Sequence, residues 1–201
     1  MPVRAWMIAL SAVYLLVLSA CVSSPPVRYY SLSPIDTDYQ QDPDDAVMLG
    51  IGPLSIPDYL NRSQIVTRDV DAQMRVDDFS RWTEPLADSM HRIISTDVDN
   101  LLHGVVVVRY PYDAVVRSHL DYRLVGDVNR FDADSSGLVV LEIQWAIVDT
   151  EANLLVPARR NRYQAQMVTS GDYGAMVAAM NDVLSQFSRD VADRLKAASQ
   201  N

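Results

Sequence analysis

Residues 5–18, AWMIALSAVYLLVL, are almost all apolar and carry no charge, and no later stretch sustains such a run. Residues 22–46 reverse the balance and are rich in Pro, Ser and Asp, the composition of a linker. RYYSLSP stands out inside it: Tyr29, Tyr30 and Leu32 are costly to leave in water, so this piece is expected to dock on the body as a short edge strand. From Val47 the pattern is that of strands. VMLGIGPLSIP is an apolar run closed by Pro57, and two shorter candidates follow at Gln64–Arg68 and 72–76, joined by an Asp-containing turn. The period then lengthens. Trp82, Leu86, Met90, Ile93, Val98 and Leu101 recur at steps of three to five, with Ile94 and Leu102 widening the stripe. This predicts an amphipathic helix of about five turns, with Thr83 as N-cap and Pro85 in the first turn.

Gly104 ends that segment, and VVVVR reads as a buried strand. Residues 119–167 return to period two and predict a three-stranded meander turning at DADSSG and DTEAN. Val139, Leu141, Ile143, Trp145 and Ile147 make one face of its middle strand. The last segment predicts a second long helix, with Ser170 as a candidate N-cap and an apolar stripe from Tyr173 and Met176 to Val191 and Leu195. Two long helices and about six or seven strands, mostly consecutive, imply an α+β fold. The expected form is a mainly antiparallel (mixed) sheet with both helices on one face.

The opening run has the length of a secretory signal, follows a single Arg4, and is shorter than the roughly 20 residues that span a bilayer. It ends in Leu18-Ser19-Ala20-Cys21, which resembles the bacterial lipobox: leucine, two small residues, then cysteine. In such signals the thiol receives a diacylglyceryl group, the chain is cut before the cysteine, and the new amino terminus is acylated. A lone cysteine in an exported chain has no internal disulfide partner, so lipidation of Cys21 accounts for it. A plain signal peptide or an uncleaved anchor are the alternatives. Val22, rather than aspartate, follows the cysteine, which by resemblance to enterobacterial lipoproteins favours the outer membrane. The chain thus divides into a signal peptide (1–20), a lipid-anchored linker with its docking strand (21–46) and one α+β domain (47–201). The formal net charge of −9 becomes −10 without Arg4, a poor match to nucleic acid.

Catalytic and metal motifs are missing. His91, His103 and His119 lack the four-residue helical spacing of a metal pair. DADSSG imitates half of a calcium loop, but its twelfth position is Ile143 where a bidentate Glu is required, so it reads as a hairpin turn. Asp77 and Asp78 read as a solvated cap sooner than an acid–base pair. Met176 and Met180 read as core sooner than a lipid groove. No cofactor is expected beyond the covalent acyl groups on Cys21.

Residues 54–68, LSIPDYLNRSQIVTR, are more specific. Ile56, Pro57, Tyr59, Leu60, Gln64, Ile65, Val66 and Arg68 resemble the Val/Ile-Pro-x-Tyr-Leu and Gln/Ile/Val…Arg elements of the ABC-type transport auxiliary lipoprotein family. Tyr30 and Leu32 match the family's Tyr-x-Leu start, and Trp82, Glu84, Pro85 and Leu86 match its Trp-x-x-Pro-Leu helix opening. The resemblance covers most of the chain after Cys21 and is strongest through residue 102. It implies a non-catalytic lipoprotein that works beside MCE-domain proteins and ABC transporters moving hydrophobic molecules between the membranes of diderm bacteria. The implied partners are a periplasmic MCE protein, an inner-membrane transporter through it, and the outer membrane. An oligomeric MCE partner implies a ring or another oligomer here too. Tyr59, Leu60 and Tyr30 are the candidate partner contacts; Pro57 and Leu60 also read as structural, and Tyr59 can fold onto the core or face a partner. A carrier holding lipid between sheet and helices is the competing reading, and it needs an apolar cavity of about 300 Å³ or more.

Overall fold

The computed structural model describes residues 6–7, 24–36, 46–69, 71 and 73–198. Cys21 and nearly all of the signal segment lie outside the described residues. Eight strands among the described residues fall into two mixed sheets, with two long helices, an α+β fold as the sequence implies. The larger sheet has the order β5-β2-β6-β7-β8: β5 (Val105–Arg109), β2 (Val47–Ser55), β6 (Tyr122–Ala133), β7 (Leu138–Asp149) and β8 (Leu154–Gln166). Strands β6, β7 and β8 form the expected antiparallel meander, while β2 runs parallel to both β5 and β6. The smaller sheet has the order β1-β4-β3, with β1 (Arg28–Tyr30) parallel to β4 (Met74–Trp82) and β3 (Gln64–Arg68) antiparallel to it. The sheets meet where Arg68 forms a single parallel bridge with Asp134.

Helices α1 (Leu86–Leu101) and α3 (Tyr173–Ala198) pack on each other and on the larger sheet. The alternating face of β7 fills the interface: Val139, Leu141, Ile143 and Ile147 are wholly buried, and the Trp145 indole stands edge-on to Phe187 of α3 at 5.6 Å. Met176 and Met180 are core residues, as their spacing implies.

Three boundaries differ from the sequence reading. Trp82 ends β4 rather than opening α1, because it pairs with Tyr30 across the small sheet. Thr83 does not cap α1: its N–H donates to the Tyr30 carbonyl at 2.9 Å, and Pro85 holds the cap position without a side-chain bond. At α3 the cap is Asp172, whose carboxylate accepts from the Ala175 N–H at 2.8 Å, and not Ser170. A short helix, α2 (Ala114–His119), capped by Asp113, was not foreseen. It buries none of its residues, so it carries no apolar stripe to read.

Candidate functional site

The segment that carries the family resemblance converges on one buried carboxylate. Pro57 ends the strand run and starts a 3-10 turn, Asp58–Leu60, which points Leu60 into the core at 3% exposure. The same turn brings the Tyr59 hydroxyl to Asp132, to which it donates at 2.9 Å. Strand β3 then delivers Arg68, whose Nη2 donates to the same oxygen, Oδ2, at 2.9 Å and whose Nε donates to Oδ1 at 3.3 Å. Arg130, two residues before Asp132 on β6, adds Nε at 2.8 Å from Oδ1. Asp132 is wholly buried, whereas Arg68 and Arg130 keep 26% and 17% of their side-chain surface. One carboxylate thus ties the turn, the small sheet and the large sheet together. Burial and the adjacent Asp132 push the Tyr59 phenol up to about 12, so it stays a neutral donor.

These contacts locate the sequence-predicted residues. Leu60 belongs to the core and offers no side chain to a partner; Tyr59 is half-buried with its hydroxyl engaged. Tyr30 is half-buried at the end of β1, with its ring tilted against Tyr173 at 6.1 Å. Asp77 holds a bulge in β4: its Oδ1 accepts from the N–H groups of Phe79 (2.8 Å) and Ser80 (2.6 Å), and its Oδ2 from the Tyr173 hydroxyl (3.1 Å). Asp134 of the calcium-like turn accepts from the N–H groups of Ser136 and Leu138, which closes the hairpin. Among the described residues no group of three or more His, Cys, Asp or Glu side chains is placed to hold a metal ion.

A second assembly extends the docking expected of RYYSLSP, with partners the sequence did not show. After β1 the chain runs as a strap over both long helices. Leu32 is buried at 1% exposure, and its carbonyl accepts from Arg92 at 3.3 Å. The Ser33 N–H donates to Asn181 of α3 at 3.1 Å, and the Ile35 N–H to Asp97 of α1 at 2.7 Å. Asn100 donates to the Ile35 carbonyl at 3.2 Å. Asp97 also accepts from Ser188 at 3.3 Å; its burial raises its pKa above the ordinary carboxylate value. Every strap partner is separated from it by at least 60 residues, so no local motif announces the set.

His91 has a comparable internal task. Its Nε2 accepts from the Leu54 N–H at 3.1 Å, so the imidazole is the neutral tautomer with Nδ1–H donated to the Ala87 carbonyl at 2.8 Å. A cleft of about 250 Å³ opens beside Arg68, Asp134, Met167 and Tyr173. Its lining mixes charged and polar groups with the core residues Ala133, Met167 and Met176.

A lipobox-like sequence at Leu18–Cys21, an α+β body and a Pro-Tyr-Leu…Arg segment locked on Asp132 point to one class. The chain belongs to the ABC-type transport auxiliary lipoprotein component family, which matches residues 30–192. Among its relatives is the intermembrane transport lipoprotein PqiC of Escherichia coli, 22% identical over 195 residues that cover 96% of this chain and 98% of PqiC. The same figures hold for PqiC of Shigella flexneri. The fold is shared with protein XCC0632 from Xanthomonas campestris (TM-score 0.67, 17% identity, 87% of this chain and 100% of that one). It is shared too with a crystallised uncharacterized protein (TM-score 0.71, 21% identity, 85% and 99%).

Proposed function

We propose that this chain is a non-catalytic docking subunit of an MCE-type system that moves lipid or another hydrophobic molecule between membranes. It is held at the periplasmic face of the outer membrane by diacylglyceryl and N-acyl groups on Cys21. Its protein partner is a periplasmic MCE-domain protein, and through it an inner-membrane transporter. The observation that carries the reading is membership, over residues 30–192, of a family of transport auxiliary lipoproteins. The interior supports docking over carriage. Where a carrier would hold its ligand, Leu49, Ile51, Phe131, Val139 and Phe187 are wholly buried against one another's layers. Arg68 and Arg130 are likewise turned onto the buried Asp132, where they join the two sheets.

The test separates inner and outer membranes from cells producing the full chain, then extracts lipid from the purified protein. The proposal expects the protein in the outer-membrane fraction, a chain beginning at acylated Cys21, and no stoichiometric free phospholipid. One phospholipid retained per chain after delipidating wash would turn the reading to the carrier.

A further inference from the structure

We propose that the outer face of the small sheet, built from Val27, Tyr29, Phe79 and Arg81, rests on the lipid surface that holds the anchor. The inference rests on the reading of Cys21 as the lipidated residue.

The exposed apolar groups are the first observation. Val27, Tyr29 and Phe79 are 40%, 64% and 41% exposed, on a chain whose polar strands would otherwise supply charged side chains. The register gathers them. Tyr29 pairs with Arg81, so their side chains share the face opposite the half-buried Tyr30 and the buried Trp82. Two steps back, one beyond the Arg28–Ser80 pair that begins the ladder, the same register sets Val27 beside Phe79. The Asp77 bulge turns Phe79 outward there, and its N–H is already satisfied by the Asp77 carboxylate. An aromatic and aliphatic cluster joined by Arg81 has the composition that favours a headgroup boundary. Asp78 flanks the patch, and its carbonyl accepts from Arg81 Nε at 3.2 Å. The chain from Cys21 onward is acidic, with a net charge of −10 once Arg4 is removed, so anionic headgroups repel most other faces.

Chain length is the second observation. Five residues lie between Cys21 and Val27, and the six backbone steps they make span at most about 20 Å when fully extended. A body of this length is about 40 Å across. The tether therefore cannot bring the distant side of the molecule to the bilayer, and Pro25 and Pro26 stiffen it further. The body also cannot peel away from the tether. Residues 28–30 are paired in the sheet, and Leu32 to Ile35 are bound across α1 and α3.

Two single-cysteine probes test the proposal in the full lipoprotein, where acylated Cys21 leaves the added cysteine as the free thiol. Phe79→Cys and Leu154→Cys are each labelled with a nitrobenzoxadiazole dye and reconstituted in vesicles of phosphatidylethanolamine with a minority of phosphatidylglycerol. A fraction of the lipid carries a nitroxide on its headgroup. Leu154 is 57% exposed and lies on β8 at the end of the large sheet opposite the Arg68–Asp134 bridge to the small sheet. The expected result is quenching at position 79 greater than at 154 by about twofold or more, reduced by Tyr29→Asp with Arg81→Glu. Equal quenching at the two sites, in protein whose mass shows the lipid on Cys21, overturns the membrane-facing assignment and leaves the anchor standing. A mass without lipid on Cys21 overturns the anchor and this inference with it.

Discussion

Replacing Asp132 by alanine removes the one acceptor shared by Tyr59, Arg68 and Arg130. The loss of one partner from a buried ion pair costs about 3–5 kcal/mol, because the opposite charge is left without compensation. Here the two arginine side chains keep 26% and 17% of their surface, so water screens part of that cost and about 2–4 kcal/mol is expected. For a chain of this size the midpoint of thermal unfolding should fall by about 5–15 °C. The smaller change Tyr59→Phe removes one hydrogen bond to a charged acceptor and should cost about 1–2 kcal/mol. Both act on the same carboxylate, so the double variant should fall short of additivity by about 1 kcal/mol. Urea unfolding of the mature chain carrying Cys21→Ser, followed by far-ultraviolet circular dichroism, measures all three against the parent, with the slope expected to stay unchanged. Asp132→Ala within about 0.5 kcal/mol of the parent, or strict additivity with Tyr59→Phe, would refute the claim that this carboxylate joins the two sheets.

Burial lowers the His91 pKa below its unfolded value near 6.5, so its stabilising effect is complete above that value and declines as pH falls below it. Stability measured between pH 7 and 5 should therefore drop more steeply in the parent than in His91→Gln. Gly52 has φ +114°, and a Cβ there would lie 2.7 Å from Tyr110 Cβ, so Gly52→Ala should cost about 2–3 kcal/mol in the same unfolding assay. Asp97→Asn keeps an acceptor for the Ile35 N–H and removes a buried charge, so its stability should stay within about 1 kcal/mol of the parent. Asp97→Ala should free the strap, read as faster proteolytic cleavage between residues 31 and 36. Cys21→Ala should leave an unprocessed or mislocalised product on immunoblots of fractionated cells; normal sorting and hydrophobicity of that product would contradict lipidation.

Periodicity made the two long helices and the meander legible, because Met176 to Leu195 and Val139 to Ile147 bury one face each. Boundaries were less legible where tertiary pairing overrides local preference. Trp82 fits a helical stripe by spacing, yet Tyr30 holds it in a strand. Thr83 and Ser170 have capping chemistry, but a strand contact and Asp172 respectively displace them. The parallel pairing of β2 with β5 and β6 joins residues more than 50 positions apart and leaves no mark in local pattern. For the candidate site, the Pro57-Tyr59-Leu60 and Arg68 signal was visible, but not its target. Asp132 sits in what reads as a polar turn, and only the folded sheet shows that it is wholly buried between two arginines. The strap was half legible: Tyr30 and Leu32 announced docking, while Asp97, Asn100 and Asn181 read as ordinary surface positions of helices.

The docking role is tested most directly by isolating the full-length lipoprotein from native membranes in mild detergent and identifying what accompanies it by mass spectrometry. The account predicts an MCE-domain protein in near-stoichiometric amount, lost on Cys21→Ala. Recovery of the lipoprotein without any such protein, but with bound phospholipid, would contradict it.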